Sequence, residues 1–508
     1  MIKNLKVISF NEYRILFNRL DRTTNNFKEI ETIYSRLPIT EESYIPGKSD
    51  IELAFIIRKM PINKEVNFLK RFSIFFKEFI EEAKKLGVPV HFQPIFTRYE
   101  IRPFFSYNPI SLREWEIIKG EDFRAEVRPI VEFDIACLKD FIHNVVTPYG
   151  AFSYLVEPYV LDRVEGSPFY VLNRALLKLT KTINYFLTNE YVPARLSALS
   201  RIYEALMKKD ENFILLFKNI LALKNRNFNL SMRDLKFLYP QIYTFVKLFF
   251  DHLIESMPIE RINTGSSAPY ANVDDNFLSL VNAELDYLKK ELKSLYKATD
   301  DKIVDIIYAR RPFAYDGYFI FLFKDHCSSE DIVKSSKFIL KFMPLLSKFS
   351  RLPPSFLTVN EFMYAYKIRW PWELYHIKKH GVFLIEGDLR DRINLPSSSI
   401  LKQNVITGLT YSLAQLRLGI TELSSQYIIS RLLIFLGSIL ILNDAVPTTP
   451  YEIILESAKY DANEISFLPR LLSKCIGDGQ RVDQKKFFVK LLSYLNRKYT
   501  TIFEKLNM

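Results

Sequence analysis

Apolar residues recur along this chain mostly at spacings of three and four. The pattern is clearest over 68–86, where Phe68, Phe72, Phe75, Phe76, Phe79, Ala83 and Leu86 share one stripe, with Lys70, Lys77, Glu81, Glu82, Lys84 and Lys85 opposite. That period predicts an amphipathic helix with a buried phenylalanine face, stopped by Gly87. Residues 9–33 predict a helix with polar interruptions, and 134–257 reads as helix almost throughout. Short unbroken apolar runs are rarer. Asp50-Ile51-Glu52-Leu53-Ala54-Phe55-Ile56-Ile57 follows a Pro46-Gly47 turn and predicts a buried strand. Residues 88–95 predict a second strand, and 110–120 a short helix containing Trp115. The most apolar run, 432–442, is too short to span a bilayer and reads as a buried helix.

Large apolar residues thin out over 258–275, where Asn263-Thr264-Gly265-Ser266-Ser267-Ala268-Pro269 predicts a linker. Beyond it the pattern repeats. At a constant offset of 267 residues, Tyr99, Ile101, Arg102, Ile118 and Gly120 fall on Tyr366, Ile368, Arg369, Ile385 and Gly387. Phe72, Phe75, Phe76 and Phe79 fall on Ile339, Phe342, Met343 and Leu346, and Arg174 with Val192-Pro193 returns after a gap as Arg431 with Val446-Pro447. A helix stripe repeated in phase predicts an internal duplication.

Side chains alternate along a strand, so Asp50 and Glu52 project from one face. Two acids so placed suit a hard divalent cation bound together with substrate phosphates, although a solvated strand end has the same pattern. Ser49-Asp50-Ile51-Glu52-Leu53 resembles the Ser-Asp-x-Asp-Leu strand of the nucleotidyltransferase superfamily, particularly its aminoglycoside-nucleotidyltransferase-like branch. The resemblance implies a magnesium ion and a nucleoside triphosphate, with Asp50 and Glu52 on the metal. It implies Ser35 and Ser49 near the nucleotide phosphates, and Arg195 in the place of a lysine of the family's helical half. It also implies α/β plus all-α architecture: two nucleotidyltransferase-like units, each a small mixed sheet with helices, each followed by a helical bundle. The expected segments are 1–133 and 134–257, a linker over 258–275, then 276–396 and 397–508.

The chain departs from the family pattern at several points. Glu52 replaces an aspartate, and Tyr34 precedes Ser35 where a glycine would let the backbone approach a phosphate. The strand that would supply a third acid offers His91 and Gln93. In the second copy, Tyr315-Asp316-Gly317-Tyr318 puts an aromatic in the place of Glu52, and Tyr308-Ala309-Arg310-Arg311 stands in for the Gly-Ser turn. His376 and His380, four apart with no acid or cysteine set beside them, are expected at the surface.

Charge adds a partner. The 508 residues carry a net charge of +12, which favours a polyanion because clustered cations release phosphate counterions. The cations expected to meet nucleic acid are Lys224, Arg226, Arg233 and Lys236; Arg310 and Arg311; and Lys485, Lys486, Arg497 and Lys498 on the last helix. Cys137, Cys327 and Cys475 are far apart without metal-ligand spacing, and Met1-Ile2-Lys3-Asn4-Leu5-Lys6 lacks a signal-peptide core. A cytoplasmic protein with no membrane partner is therefore expected. The function expected is that of a non-catalytic tandem protein binding structured RNA, or a ribonucleoprotein such as the ribosome, without a cofactor. Two alternatives stand beside it: an active magnesium-dependent nucleotidyltransferase using Asp50 and Glu52, and a protein-interaction platform without nucleic acid.

Overall fold

The computed structural model describes residues 9–36, 44–45, 49–90, 94–147, 150–156, 168–207, 210–263, 265–271, 288–292, 299, 302–313, 317–350, 352–385, 389–422, 425–460 and 484–505. The chain divides into two compact units. The first comprises Met1–Ala136, Val405–Asn443 and Ile453–Met508, and the second Cys137–Asn404 and Asp444–Glu452. Each is mixed α/β and carries one four-stranded sheet.

In the first unit, β1 (Ile30–Ser35) pairs antiparallel with β2 (Leu53–Ile57). It pairs on its other side with β4 (Glu116–Gly120), also antiparallel, and β3 (Ile95–Thr97) runs parallel to β2. Alternation along β2 sorts two cores. Phe55 and Ile57 join the stripe Phe68, Phe72, Phe76 and Phe79 of the helix Ile62–Lys85, with the Phe55 and Phe72 rings 4.9 Å apart. Ala54 and Ile56 turn the other way, to Tyr34, Phe96, Phe104, Phe105 and Trp115.

The second unit follows the same plan with β5 (Ile303–Arg310), β6 (Gly317–Phe323), β7 (Ser355–Thr358) and β8 (Val382–Phe383), ordered β7-β6-β5-β8 with matching directions. The match extends to register. The β1–β2 ladder slips between Ile30 and Thr32, and the β5–β6 ladder slips between Ile303 and Asp305. Ile57 faces Thr97 as Phe323 faces Thr358. Each threonine opens a capping box, Thr97 with Glu100 on the helix Arg98–Tyr107 and Thr358 with Glu361 on the helix Val359–Ile368.

Several expectations change here. The constant offset of 267 fails at β3, because Thr97 and Thr358 hold the same place and 358 minus 97 is 261. Residues 30–35 form the central strand and not a helix end or a turn: Thr32, Ile33, Tyr34 and Ser35 are buried on both sheet faces, which leaves no amphipathic phase to read. The helix expected over 110–120 stops at Glu114, and 116–120 becomes the edge strand β4. Of the stretch expected as a linker, residues 264 and 272–275 lie outside the described residues, and the described residues 258–263 and 265–271 bond to the rest of the second unit. Tyr270 bridges to Val446, Tyr375 donates its hydroxyl proton to the Ala268 carbonyl at 3.0 Å, and Ser397 N–H donates to the Asn263 side chain at 2.7 Å.

The helices grouped with the first sheet are not those that follow it in sequence. Leu492 of the helix Gln484–Lys505 enters the core around Phe72. Arg417 of the helix Ser398–Glu422 is wholly buried, its Nε 2.6 Å from Glu65 and its Nη2 2.6 Å from Glu100. Further bonds run from Nη1 to the Ile95 carbonyl and from Nη2 to Asn496, both at 3.1 Å. In the second unit, Lys247 of the helix Met232–Ser256 bonds Glu361 and Asp251, each at 3.0 Å. In both units a buried cation thus neutralises the glutamate of the capping box. Among the described residues, no helix is long and apolar enough to cross a membrane.

Candidate functional site

The acids of the first unit lie just ahead of β2. Ile51 between them pairs with Val90, so Asp50 and Glu52 sit together on a half-buried approach to the sheet. Tyr13 donates its hydroxyl proton to the Asp50 carbonyl at 2.7 Å. Burial, then the charges of Asp50, Tyr44 and Glu52, push that hydroxyl above the ordinary tyrosine range. Ser49 closes its own turn: its hydroxyl accepts the Ile45 N–H at 2.8 Å and its N–H donates to the Ile45 carbonyl at 2.9 Å. Ser35, 2% exposed, is the last residue of β1.

The next residue, Arg36, belongs to no motif that the sequence offers. Its N–H continues the ladder to the Glu52 carbonyl at 2.8 Å. Its guanidinium lies 5.7 Å from the Trp115 ring and 5.8 Å from the Tyr411 ring, and donates to the Tyr411 hydroxyl at 3.4 Å. Burial works against this charge, but Tyr411, Glu52 and Glu114 outweigh it and hold the guanidinium above its usual value. A buried cation therefore stands at the end of β1, held by Trp115 and Tyr411 and felt by Glu52 and Glu114. Bound magnesium needs carboxylates free to turn toward it and toward substrate phosphates. His91 and Gln93, where the resemblance would place a third acid, lie outside the described residues.

At the matching end of the second sheet, Tyr318 stands in the place of Glu52 and donates to Glu373 at 2.9 Å. Arg311 is 3.7 Å from that same carboxylate. Asp316 lies outside the described residues. The helix Phe133–Val146 reaches this end, its Val146 carbonyl accepting the Ser355 hydroxyl at 2.9 Å. It brings Lys139 and His143, and the His143 ring lies 6.0 Å from that of Trp370. Arg369, Lys178, Arg311 and Arg174 all act on His143, which burial and these charges hold well below the ordinary histidine range. Lys139 is pushed down to about 7 by burial and by Arg369.

The remaining predicted residues are scattered. Arg195 belongs to the second unit, while Ser35, Ser49, Asp50 and Glu52 belong to the first. Its guanidinium donates to Asn173 at 3.2 Å. Lys224, Arg226, Arg233 and Lys236 are exposed around the turn between the helices Ile214–Lys224 and Met232–Ser256, next to Phe237, which is 64% exposed. Arg310 and Arg311 are half-buried. On the last helix Arg497 is exposed and Lys498 leans over Tyr494 at 5.7 Å, whereas the side chains of Lys485 and Lys486 lie outside the described residues.

The two histidines expected at the surface are interior. His376 is 7% exposed, with Nδ1 2.5 Å from the Thr448 carbonyl and Nε2 accepting the Arg310 N–H at 3.4 Å. His380 Nε2 lies 2.8 Å from the Thr448 hydroxyl and 3.5 Å from Glu452. They tie the segment 444–452 into the second unit. That unit also holds a cavity of about 380 Å³ lined by Glu260, Asp325, Asn360, Tyr364, Lys367 and Arg392, none of them among the predicted residues. Among the described residues, no three His, Cys, Asp or Glu side chains gather as a metal site would require.

No protein-family model matches the chain, and no curated protein or solved structure matches it either.

Proposed function

We propose that this chain is a non-catalytic tandem of nucleotidyltransferase-like units that binds structured RNA, alone or within a ribonucleoprotein such as the ribosome. The observation that supports the non-catalytic half is Arg36, a buried guanidinium held by Trp115 and Tyr411 whose charge is favoured in part by Glu52. A guanidinium supplies positive charge near Glu52 but, unlike a metal ion, offers no open coordination position to a triphosphate. The two sheets, alike in order, direction and bulge, support a shared ancestry for the halves. The RNA half rests on the +12 charge and on the exposed group Lys224, Arg226, Arg233 and Lys236. The buried thiols of Cys137 and Cys327 suit a reducing cytoplasm.

The test is binding of a structured RNA as a function of salt. The logarithm of affinity should fall linearly with the logarithm of salt concentration. Replacing the four cations by serine should lower the slope by about 1 for each phosphate that is no longer neutralised. Binding indifferent to salt would favour a protein-docking surface instead. Nucleotide transfer that disappears in Asp50→Ala would restore the catalytic reading.

A further inference from the structure

The cavity of about 380 Å³ in the second unit lies at the end of β6 away from Tyr318. Tyr318 is near the start of that strand, in the place of Glu52, whereas Asp325 of the cavity wall comes two residues after its last member, Phe323. The site that the family resemblance implies is therefore at the other end of the sheet. One face of the helix Val359–Ile368 lines the cavity, through Val359, Asn360, Met363, Tyr364 and Lys367, a spacing that keeps all five on one side. The floor is apolar: Val359, Tyr364 and Leu389 are 8%, 4% and 3% exposed. The Tyr364 hydroxyl is already engaged, donating to the Met257 carbonyl at 2.6 Å.

Charges of both signs stand above that floor. Glu260, Asp325 and Arg392 are exposed and Lys367 is half-buried. Asp325 accepts the Asn360 N–H at 2.7 Å, which fixes it at the first turn of the helix. Lys367 stands two turns on, about 10 Å along the axis. Glu260 acts on Lys367 through its charge. Among the described residues, however, the side chains of Glu260, Lys367 and Arg392 make no hydrogen bond or ion pair.

The first unit shows that the shared sheet plan does not itself open this space. Ile57 faces Thr97 as Phe323 faces Thr358, so Lys59, Arg98, Tyr99 and Arg102 correspond to Asp325, Val359, Asn360 and Met363. In the first unit these long side chains are tied down. Lys59 lies 4.8 Å over the Tyr99 ring, Arg98 lies 4.8 Å over the Phe123 ring, and Arg102 pairs with Glu126. The second unit carries valine and methionine in place of the two arginines, and an aspartate in place of the lysine.

The charge pattern selects the ligand. An anion would meet Glu260 and Asp325 without pairing them, and a cation would meet Lys367 and Arg392. An uncharged ligand would cover all four charges with nothing in return, which is costly. A zwitterion answers both signs, and the floor accepts an apolar side chain. The volume is at the lower end of the range of about 300–1,000 Å³ that small-molecule sites occupy. We propose that this cavity binds a small zwitterion with an apolar side chain, a free α-amino acid or a short peptide. Its ammonium lies toward Glu260 and Asp325 and its carboxylate toward Lys367 and Arg392. The site is independent of the RNA reading above, since it involves neither Lys224 and its neighbours nor a phosphate.

The experiment is calorimetric titration of the full chain with L-leucine, with leucyl-leucine, and with N-acetyl-leucine amide, which keeps the side chain and carries neither charge. Saturable binding of leucine or leucyl-leucine is expected, with the capped compound weaker by about tenfold or more. Tighter binding of leucine would identify a free amino acid as the source, and tighter binding of the dipeptide a peptide. Asp325→Asn keeps an acceptor for the Asn360 N–H and should weaken binding about tenfold, as should Arg392→Gln. Both positions are exposed, so the ligand-free unfolding temperature should not change. Met363→Trp should fill the space and abolish binding. The comparison of free with capped leucine needs no substitution. Absence of saturable binding by either zwitterion, equal binding of the capped compound, or binding that survives all three substitutions overturns the proposal.

Discussion

Lys139 and His376 are titrating groups whose folded values lie below their unfolded ones, near 7 against 10.5 and near 4 against 6.5. Between those limits the unfolded chain binds more protons, so stability rises with pH through both windows. Lys139→Met should flatten the upper window, from about pH 7 to 10. Urea midpoints at several pH values would show it, and an unchanged slope would mean that Lys139 titrates as an ordinary lysine. Arg417 presents the opposite case. It holds Glu65 and Glu100 in a wholly buried set, so Arg417→Met leaves two carboxylates uncompensated and should cost about 3–5 kcal/mol. Adding Glu65→Gln and Glu100→Gln should recover much of that loss in the same urea titration. No recovery would mean that the shape of Arg417, and not its charge, is what the site needs.

The elements show which parts of the sequence speak plainly. The helix Ile62–Lys85 is legible because its phenylalanines, from Phe68 to Phe79, keep one phase for about three turns. The strand Leu53–Ile57 is legible because its apolar run is short and follows a turn. β1 is hidden because both its faces are covered, and β4 because Trp115 extends a helical pattern past the helix end. Lys378 and Lys379 disguise His376, whose own neighbour Thr448 is far along the chain. Arg36 gives a weak signal, its place directly after Ser35, but nothing local announces Tyr411. Two positions test the shared sheet plan. Gly120 has φ +91°, and a Cβ there would sit 1.8 Å from the Glu31 carbonyl oxygen. Gly120→Ala should cost well over about 1 kcal/mol and loosen β4 first, seen as faster amide exchange at Thr32 and Ile33. Thr97→Ala and Thr358→Ala remove equivalent caps and should each cost about 1 kcal/mol. A large difference between the two would argue against equivalent roles.

On the scale of the whole molecule, the second unit is almost one continuous stretch, and the first is assembled from the segments on either side of it. The bonds that close the first unit join residues hundreds of positions apart, which no local period reports. A chain ending at Asn404 should therefore lose amide protection in β1 and β2, because Arg417 and Leu492 are missing from their places. Retained protection there would show that the first sheet stands without its distant helices.

The separation of 317 residues between Glu100 and Arg417 also sets a schedule. During synthesis at about 5–20 residues per second, Glu100 is made roughly 15–60 s before the arginine that neutralises it. The amino-terminal sheet, first to leave the translating ribosome, must be last to settle. Nascent chains stalled before position 417 should present that sheet to chaperones.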